Sequence, residues 1–171
     1  DPEEKGREIC LANLSGRVRT LTAGASSGVL EHPRLSRDEK KIAYVERNGG
    51  DPRIVIAEAG ASGKVLRTLQ PGEWPVWLPD DKGLIFLRNG ELFATGLGES
   101  GDRPLGFSAR RIFPLPMTAG DALDLVAVLS GNGVDQPYRI ELDGEARAIR
   151  AKHRLHLDSD WERERLSPGG D

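Results

Sequence analysis

A 14-residue segment occurs twice in this chain and constrains its fold more than any other feature. Residues 32–45, HPRLSRDEKKIAYV, correspond without a gap to residues 74–87, WPVWLPDDKGLIFL, 42 residues further on. A segment that returns at such an interval marks a supersecondary unit used more than once, and a period of about 40 residues is typical of repeat arrays. The chain is therefore best described as a series of similar units.

Each unit contains four short predicted strands separated by turns. The first unit has predicted strands at residues 33–35, 41–46, 53–58 and 65–69. The second has them at 75–77, 84–88, 91–95 and 103–107, and Asn89-Gly90 between the middle pair is a strong hairpin signal. A third, less regular unit covers residues 112–149, and a predicted hairpin at 8–22 precedes the first unit.

The central strands of these units are apolar at consecutive positions, which indicates that both faces of each sheet are covered. The segments are IAYV at 42–45, IVIA at 54–57, LIFL at 84–87 and LVAV at 125–128. Parallel α/β sheets also produce such runs, but they need helical crossovers of a dozen or more residues, and the gaps here are short and rich in Gly, Asp and Pro. The pattern predicts an all-β fold, a β-propeller of four-stranded antiparallel blades at 32–69, 74–107 and 112–149 with a partial blade at 8–22.

The repeated segments resemble the repeats of TolB-type propellers. The unit of that family runs roughly as proline, a Trp or other apolar residue, Ser-Pro-Asp-Gly, Lys and then a strand, and similar repeats occur in tricorn protease and in prolyl oligopeptidase relatives. The resemblance covers residues 9–149 and implies a bacterial protein in the periplasm or another extracytoplasmic location, although the residues before the first strand do not form a signal peptide. Asp38 and Asp80 keep the acidic residue of the turn, and we expect each to close its turn by accepting bonds from local backbone amides.

Closure of the ring has two possible solutions. A last predicted strand, HRLHL at 153–157, can join the N-terminal hairpin as a fourth blade, or the chain can be part of a larger ring. Because an open ring exposes unpaired strand edges, we favour a propeller completed by further residues or by another chain, with self-association through open blade edges as one form of this. Residues 158–171 are predicted to form a tail with a short helix.

Composition excludes some classes of partner. The formal net charge is −3, and the 24 basic and 27 acidic side chains are mixed along the chain, so we expect no nucleic-acid binding. No apolar run approaches the roughly 18 residues needed to span a bilayer, so we expect no membrane insertion. Cys10 lies in the apolar run ICLANL and is predicted to be a buried, inert thiol.

The patterns that could indicate chemistry are weak. Residues 24–28 fit G-x-S-x-G, the pattern of a nucleophile elbow. Such an elbow needs a strand before it and a helix after it, whereas here a predicted strand hairpin precedes the segment and a short predicted strand follows it. Residues 60–64 lack the spacing of a phosphate-binding loop. A metal site at His153, His156, Asp158 and Asp160 is disfavoured, because the two histidines point to opposite faces of a strand and no cysteine or third histidine supports them. We expect no catalytic residues, no metal and no cofactor.

Candidate binding residues follow from the family resemblance. In propellers of this kind the start of each blade lines the mouth of the channel, which implies a binding surface made of Glu31, His32, Arg34, Glu73, Trp74 and Trp77. The leading hypothesis is a non-catalytic module that binds a protein or peptide partner at this surface. The alternatives are a sensory or accessory domain of a larger enzyme, such as a Ser/Thr kinase or a peptidase, and small-ligand or carbohydrate binding in the channel.

Overall fold

The chain folds into antiparallel β-sheets that follow one another in sequence order. The computed structural model describes residues 7–12, 14–22, 28–60, 62–115, 123–131, 134–143 and 148–155. Its 14 strands form one two-stranded sheet and three four-stranded sheets. The all-β class and the four-stranded antiparallel unit predicted from the sequence are confirmed.

The strand bounds define four structural units. The N-terminal hairpin pairs β1 (Cys10–Ala12) with β2 (Val18–Thr20). The first sheet contains β3 (Val29–Leu35), β4 (Lys41–Arg47), β5 (Arg53–Glu58) and β6 (Val65–Leu69). The second contains β7 (Glu73–Trp77), β8 (Gly83–Arg88), β9 (Glu91–Gly96) and β10 (Arg103–Ser108). The third contains β11 (Arg111–Pro114), β12 (Leu123–Gly131), β13 (Val134–Leu142) and β14 (Ile149–Arg154).

The hydrophobic core lies between successive sheets. Ala43, Val45, Ile54 and Ile56 of the first sheet pack against side chains of the second that include Phe86. The opposite face of the second sheet packs on the third, and Leu21 of the hairpin region packs against the first sheet. Within the residues that the structure describes, the sheets thus pack face to face as the blades of a propeller do, and they do not close into a ring.

The turn between the first two strands of a blade is closed by an aspartate, as predicted. Asp38 Oδ1 accepts hydrogen bonds from Ser36 Oγ at 2.6 Å and from the Lys40 amide at 3.0 Å. These bonds lower the pKa of Asp38 to about 2. In the second sheet Asp80 Oδ1 accepts from the Lys82 amide at 2.9 Å, so the repeated acid has the same structural role in both copies.

The residue after this aspartate links each blade to the one before it. Asp81 has a left-handed backbone, with φ 57°, and its two carboxylate oxygens each accept a backbone amide of the first sheet's turn, from Arg37 and Asp38 at 2.9 Å. Glu39, at the corresponding position with φ 57°, pairs with Arg19 of the hairpin at 3.3 Å. The same turn position therefore contacts the preceding sheet in both copies.

The largest differences from the sequence-based prediction are at β3 and β14. β3 begins at Val29, four residues before the predicted strand at 33–35, because residues 29–31 pair with 45–47 of β4. The prediction of a separate closing strand at 153–157 is wrong at its first two residues. His153 and Arg154 are instead the last two residues of β14. This strand pairs with the nine-residue strand β13, and the pairing extends to Arg154 opposite Tyr138. Residues 156–157 and the predicted tail helix at 158–171 lie outside the described residues.

The predicted burial of Cys10 is also wrong, because its side chain is exposed. Ile9 and Leu21 pack toward the first sheet. By the alternation of a strand, Cys10 and its partner Thr20 point to the other side of the hairpin. An apolar run in the sequence does not indicate which of its residues face the neighbouring sheet.

Candidate functional site

The first strands of the three four-stranded sheets lie next to one another and form the inner side of the stack. β7 contacts both β3 and β11. Each of these strands carries an aromatic residue followed directly by proline, and the three dipeptides are His32-Pro33, Trp74-Pro75 and Phe113-Pro114. The inner strands therefore place one aromatic ring per blade on the same side of the molecule.

These rings contact one another across the blades. The His32 and Trp74 rings are stacked, with centroids 3.8 Å apart and an interplanar angle of 25°. Phe113 meets Trp74 edge to face, at 5.4 Å and 68°. We call His32, Trp74 and Phe113 the aromatic row. Trp74 is half-buried at its centre, and Phe113 is 37% exposed at its end.

Two members of the aromatic row have an unusual backbone. His32 and Trp74 have φ of 50° and 55°, and each lies inside a strand at a break in its pairing, between Glu31 and Arg34 and between Glu73 and Val76. The other non-glycine residues with positive φ in the described part of the chain are Glu39, Asp81 and Asn89, which lie in turns. Left-handed backbone at a bulky residue costs free energy and tends to cluster at binding sites. The two bulges turn His32 and Trp74 toward each other.

An ion-pair bridge lies beside the row and joins the first two sheets. Arg47, the last residue of β4, donates from Nε to Glu31 Oε2 at 2.7 Å and from Nη2 to Glu73 Oε1. Glu31 and Glu73 directly precede the two stacked rings in sequence. All three side chains are about one-third exposed. The bridge orients the inner strands, and its two carboxylates and one guanidinium leave one excess negative charge at the surface.

The structure brings together four of the six residues predicted to form the binding surface. Two of the four, His32 and Trp74, are rings of the aromatic row. The other two, Glu31 and Glu73, are the carboxylates of the ion-pair bridge. Trp77 is instead 9% exposed in the core between the first and second sheets, where its Nε1 donates to the Arg34 backbone oxygen at 2.8 Å. Arg34 lies beside it, at the far ends of the inner strands.

Sequence reasoning missed Phe113 and Arg47. The recurrence of an aromatic residue before proline in three inner strands could have identified Phe113. No comparable signal marks Arg47, because its role depends on a strand end that lies opposite two carboxylates from different repeats.

The pH dependence of stability tests the environment of His32. Burial lowers the pKa of His32 below 6.5, Arg34 and Arg47 add to this effect, and Glu31 and Glu73 oppose it. The unfolded chain then binds a proton more readily than the folded one, so the free energy of unfolding falls as pH drops below about 6.5. We expect urea unfolding between about pH 7.5 and about pH 5.5 to show this loss, and His32→Asn, which tolerates the left-handed backbone, to reduce it. An unchanged pH profile in the variant would contradict this placement of His32.

The described residues cover the remaining sequence motifs only in part. Among the residues that the structure describes, no group of three or more His, Cys, Asp or Glu side chains is arranged to hold a metal ion. Residues 24–27 of the G-x-S-x-G match, and His156, Asp158 and Asp160, lie outside the described ranges. The segment at 60–64 includes a turn closed by Gly63 N to Gly60 O at 3.1 Å. Within the described part of the chain, no helix has the length and hydropathy needed to cross a membrane.

Comparison with known proteins identifies the fold. No family model matches the chain, and neither does any curated protein. Among solved structures, a putative TolB from Agrobacterium tumefaciens is similar, with a TM-score of 0.62 and 17% identity over 87% of this chain and 55% of that one. Pyrococcus horikoshii acylaminoacyl peptidase is also similar, with a TM-score of 0.57 and 14% identity over 77% of this chain and 25% of that one.

The chain thus spans about half the length of the first of these structures and a quarter of the second. At these identities the likeness concerns architecture, and it agrees with the sheet order, the face-to-face packing and the repeated turn described above. The chain has the fold of a TolB-type β-propeller, present in the described residues as an incomplete ring.

Proposed function

We propose that this chain is a non-catalytic propeller module that binds a protein or peptide partner through the aromatic row. The observation that carries the proposal is the pair of left-handed residues, His32 and Trp74, held at bulges so that their rings stack across two blades. Left-handed backbone costs free energy that ordinary packing of a strand does not require, yet it occurs at the same position in two copies of the unit. Such strain is common where a surface is preorganised for a ligand.

The chemistry of the row suits a peptide. Aromatic side chains dominate the energetically important positions of protein interfaces, because they supply large contact area with few rotatable bonds. The Glu31–Arg47–Glu73 bridge places two carboxylates and one guanidinium at the edge of the rings, where they can bond main-chain amides or a basic side chain of a partner. Exposed Phe113 extends the contact area into the third blade.

The test is selection of ligands followed by measurement of affinity. Peptides selected from a random display library against the chain should bind with an affinity that Trp74→Ala lowers by about tenfold or more, since truncation of a central aromatic typically costs more than 1 kcal/mol. Leu66→Ala provides the control, because Leu66 is 43% exposed on the outer strand β6, away from the row. Selected peptides that bind the Trp74 variant as tightly as the parent chain would contradict the proposal. Preferential binding of oligosaccharides over peptides would favour the carbohydrate alternative.

A second candidate function is an accessory domain of a larger enzyme. The similarity to an acylaminoacyl peptidase, of which this chain covers 25%, favours it. The gene sequence on either side of the codons for Asp1 and Asp171 distinguishes the two proposals. An adjoining kinase or peptidase domain would assign the row to recruitment or gating for that enzyme.

A further inference from the structure

A cleft at the far ends of the inner strands forms a second concave surface, separate from the aromatic row. It has a volume of about 360 Å³ and opens to solvent between the blade turns. This volume lies within the range of small-ligand sites. It is bounded by the first two sheets on one side and by the third on the other.

The walls of the cleft are mostly apolar. They include Val76 and Leu78 from the second sheet and Pro114, Leu115 and Leu123 from the third. Trp77 contributes its ring, whose Nε1 is already bonded to the Arg34 backbone oxygen. These surfaces can accept one branched apolar side chain without leaving a polar group unsatisfied.

Three charged residues line the cleft, Arg34, Arg37 and Asp81. Asp81 lines it, but both oxygens of its carboxylate accept backbone amides from Arg37 and Asp38. Arg34 also lines it, and its Nε is buried with no hydrogen-bond partner. Its Nη1 reaches only the Pro33 backbone oxygen, at 3.3 Å, and no carboxylate among the described residues forms an ion pair with it. Arg34 therefore brings to the cleft a positive charge that no carboxylate of the described residues pairs with.

We propose that this cleft binds the C-terminal residue of a peptide that ends in an apolar side chain, with Arg34 holding the free carboxylate. A guanidinium recognises a carboxylate through two parallel N–H···O bonds, which are among the strongest protein hydrogen bonds. The apolar walls accept the terminal side chain, and the open side lets the rest of the peptide leave the cleft. The carboxylate thus supplies an ion-pair partner for Arg34.

Titration with matched peptides tests this site. The probes are acetyl-Gly-Gly-Leu with a free carboxylate, the same peptide with an amidated C-terminus, and octanoate. We expect the acid to shift the indole N–H signal of Trp77 in ¹⁵N–¹H spectra and to bind at about 1 mM, and the amide to bind about tenfold more weakly. Equal binding of acid and amide, or no binding of the acid, would overturn the proposal. Octanoate binding more tightly than the peptide would overturn the assignment to a peptide terminus.

Variants locate the effect. Arg34→Gln should abolish the preference for the acid, and Arg34→Lys should retain part of it through charge alone. Both leave intact the backbone oxygen that Trp77 uses. Arg150→Gln, on the exposed part of β14, is the matched control and should bind as the parent chain does. Peptides selected at the aromatic row are titrated in parallel against the Arg34 variants and should bind them as they bind the parent chain, so failure at the cleft and failure at the aromatic row give different results. A parent-like acid preference in Arg34→Gln would contradict the role of Arg34.

Discussion

Phe86→Ala should lower the free energy of unfolding by about 3–5 kcal/mol, the usual cost of truncating a large buried aromatic side chain. Phe86 has no exposed surface and lies in the core between the first and second sheets. Its ring stacks on Phe93 with centroids 5.8 Å apart, and the Arg88 guanidinium lies 5.2 Å from its centroid. The variant removes packing from an interface that joins two blades, which is where the stability of a repeat fold resides.

Urea unfolding followed by circular dichroism measures this effect. The midpoint should fall in the variant while the dependence on urea stays similar, because the same fold unfolds. Leu66→Ala, at a position 43% exposed, should change stability by less than about 1 kcal/mol. A Phe86 variant as stable as the Leu66 variant would show that the first two sheets do not pack as described.

Asp102→Ala should cost about 2–3 kcal/mol, because it leaves two largely buried guanidinium groups without their carboxylate. Asp102 pairs with Arg67 at 3.0 Å and with Arg88 at 2.6 Å, and its own side chain is 13% exposed. Arg67 extends from the outer strand of the first sheet, whereas Asp102 and Arg88 belong to the second. The triad therefore links the outer parts of two blades, where apolar contacts are fewer.

Acid unfolding provides an independent readout of this triad. Burial tends to raise the pKa of Asp102, but hydrogen bonds from Arg88 and Thr95 and the charges of Arg88 and Arg67 outweigh it, so the pKa lies below its usual value. The stabilisation is present above the ordinary carboxyl pKa of about 3.9 and is lost as pH falls below it. In Asp102→Ala the free energy of unfolding should therefore decrease less as the pH falls. Asp135→Ala, which breaks an exposed pair with Arg110, is the control and should change stability by less than about 1 kcal/mol.

The architecture could be predicted because repeats and turns are local properties of the sequence. The echo of residues 32–45 at 74–87 identified the unit, and Asn89-Gly90 identified a hairpin whose two residues have φ of 51° and 79°. Asp38 and Asp80 could be assigned to turn closure because their partners lie within a few residues. Each of these inferences needs only nearby positions in the chain.

The sites could be predicted only in part because bulges change which way a side chain points. Simple alternation would place Glu31 on the opposite face from Arg34, but the extra residue at the bulge puts them in line, opposite Val45 and Ala43 of β4. Trp74 and Trp77 are also three positions apart, but they do lie on opposite faces of the second sheet, Trp74 in the aromatic row and Trp77 in the core with the first sheet. A bulge of this kind leaves no certain mark in a single sequence.

Burial at the ends of the array was harder to predict. Cys10 lies in a run as apolar as those of the central strands, yet only one side of the N-terminal hairpin packs on a described sheet. Contacts such as that of Arg47 with Glu31 and Glu73 depend on how two repeats are rotated relative to each other. Neither property is encoded in the pattern of one repeat.

The most direct test of the proposed function is to observe which tryptophan a bound peptide contacts. The chain has three tryptophans, at positions 74, 77 and 161, so labelling with fluorotryptophan gives three ¹⁹F signals that single Trp→Phe variants can assign. On titration with a peptide selected against the chain, the Trp74 signal should move most, and its shift should saturate at the concentration that calorimetry gives for binding. A saturating shift at Trp77 or Trp161 with Trp74 unmoved would contradict the aromatic row as the binding surface.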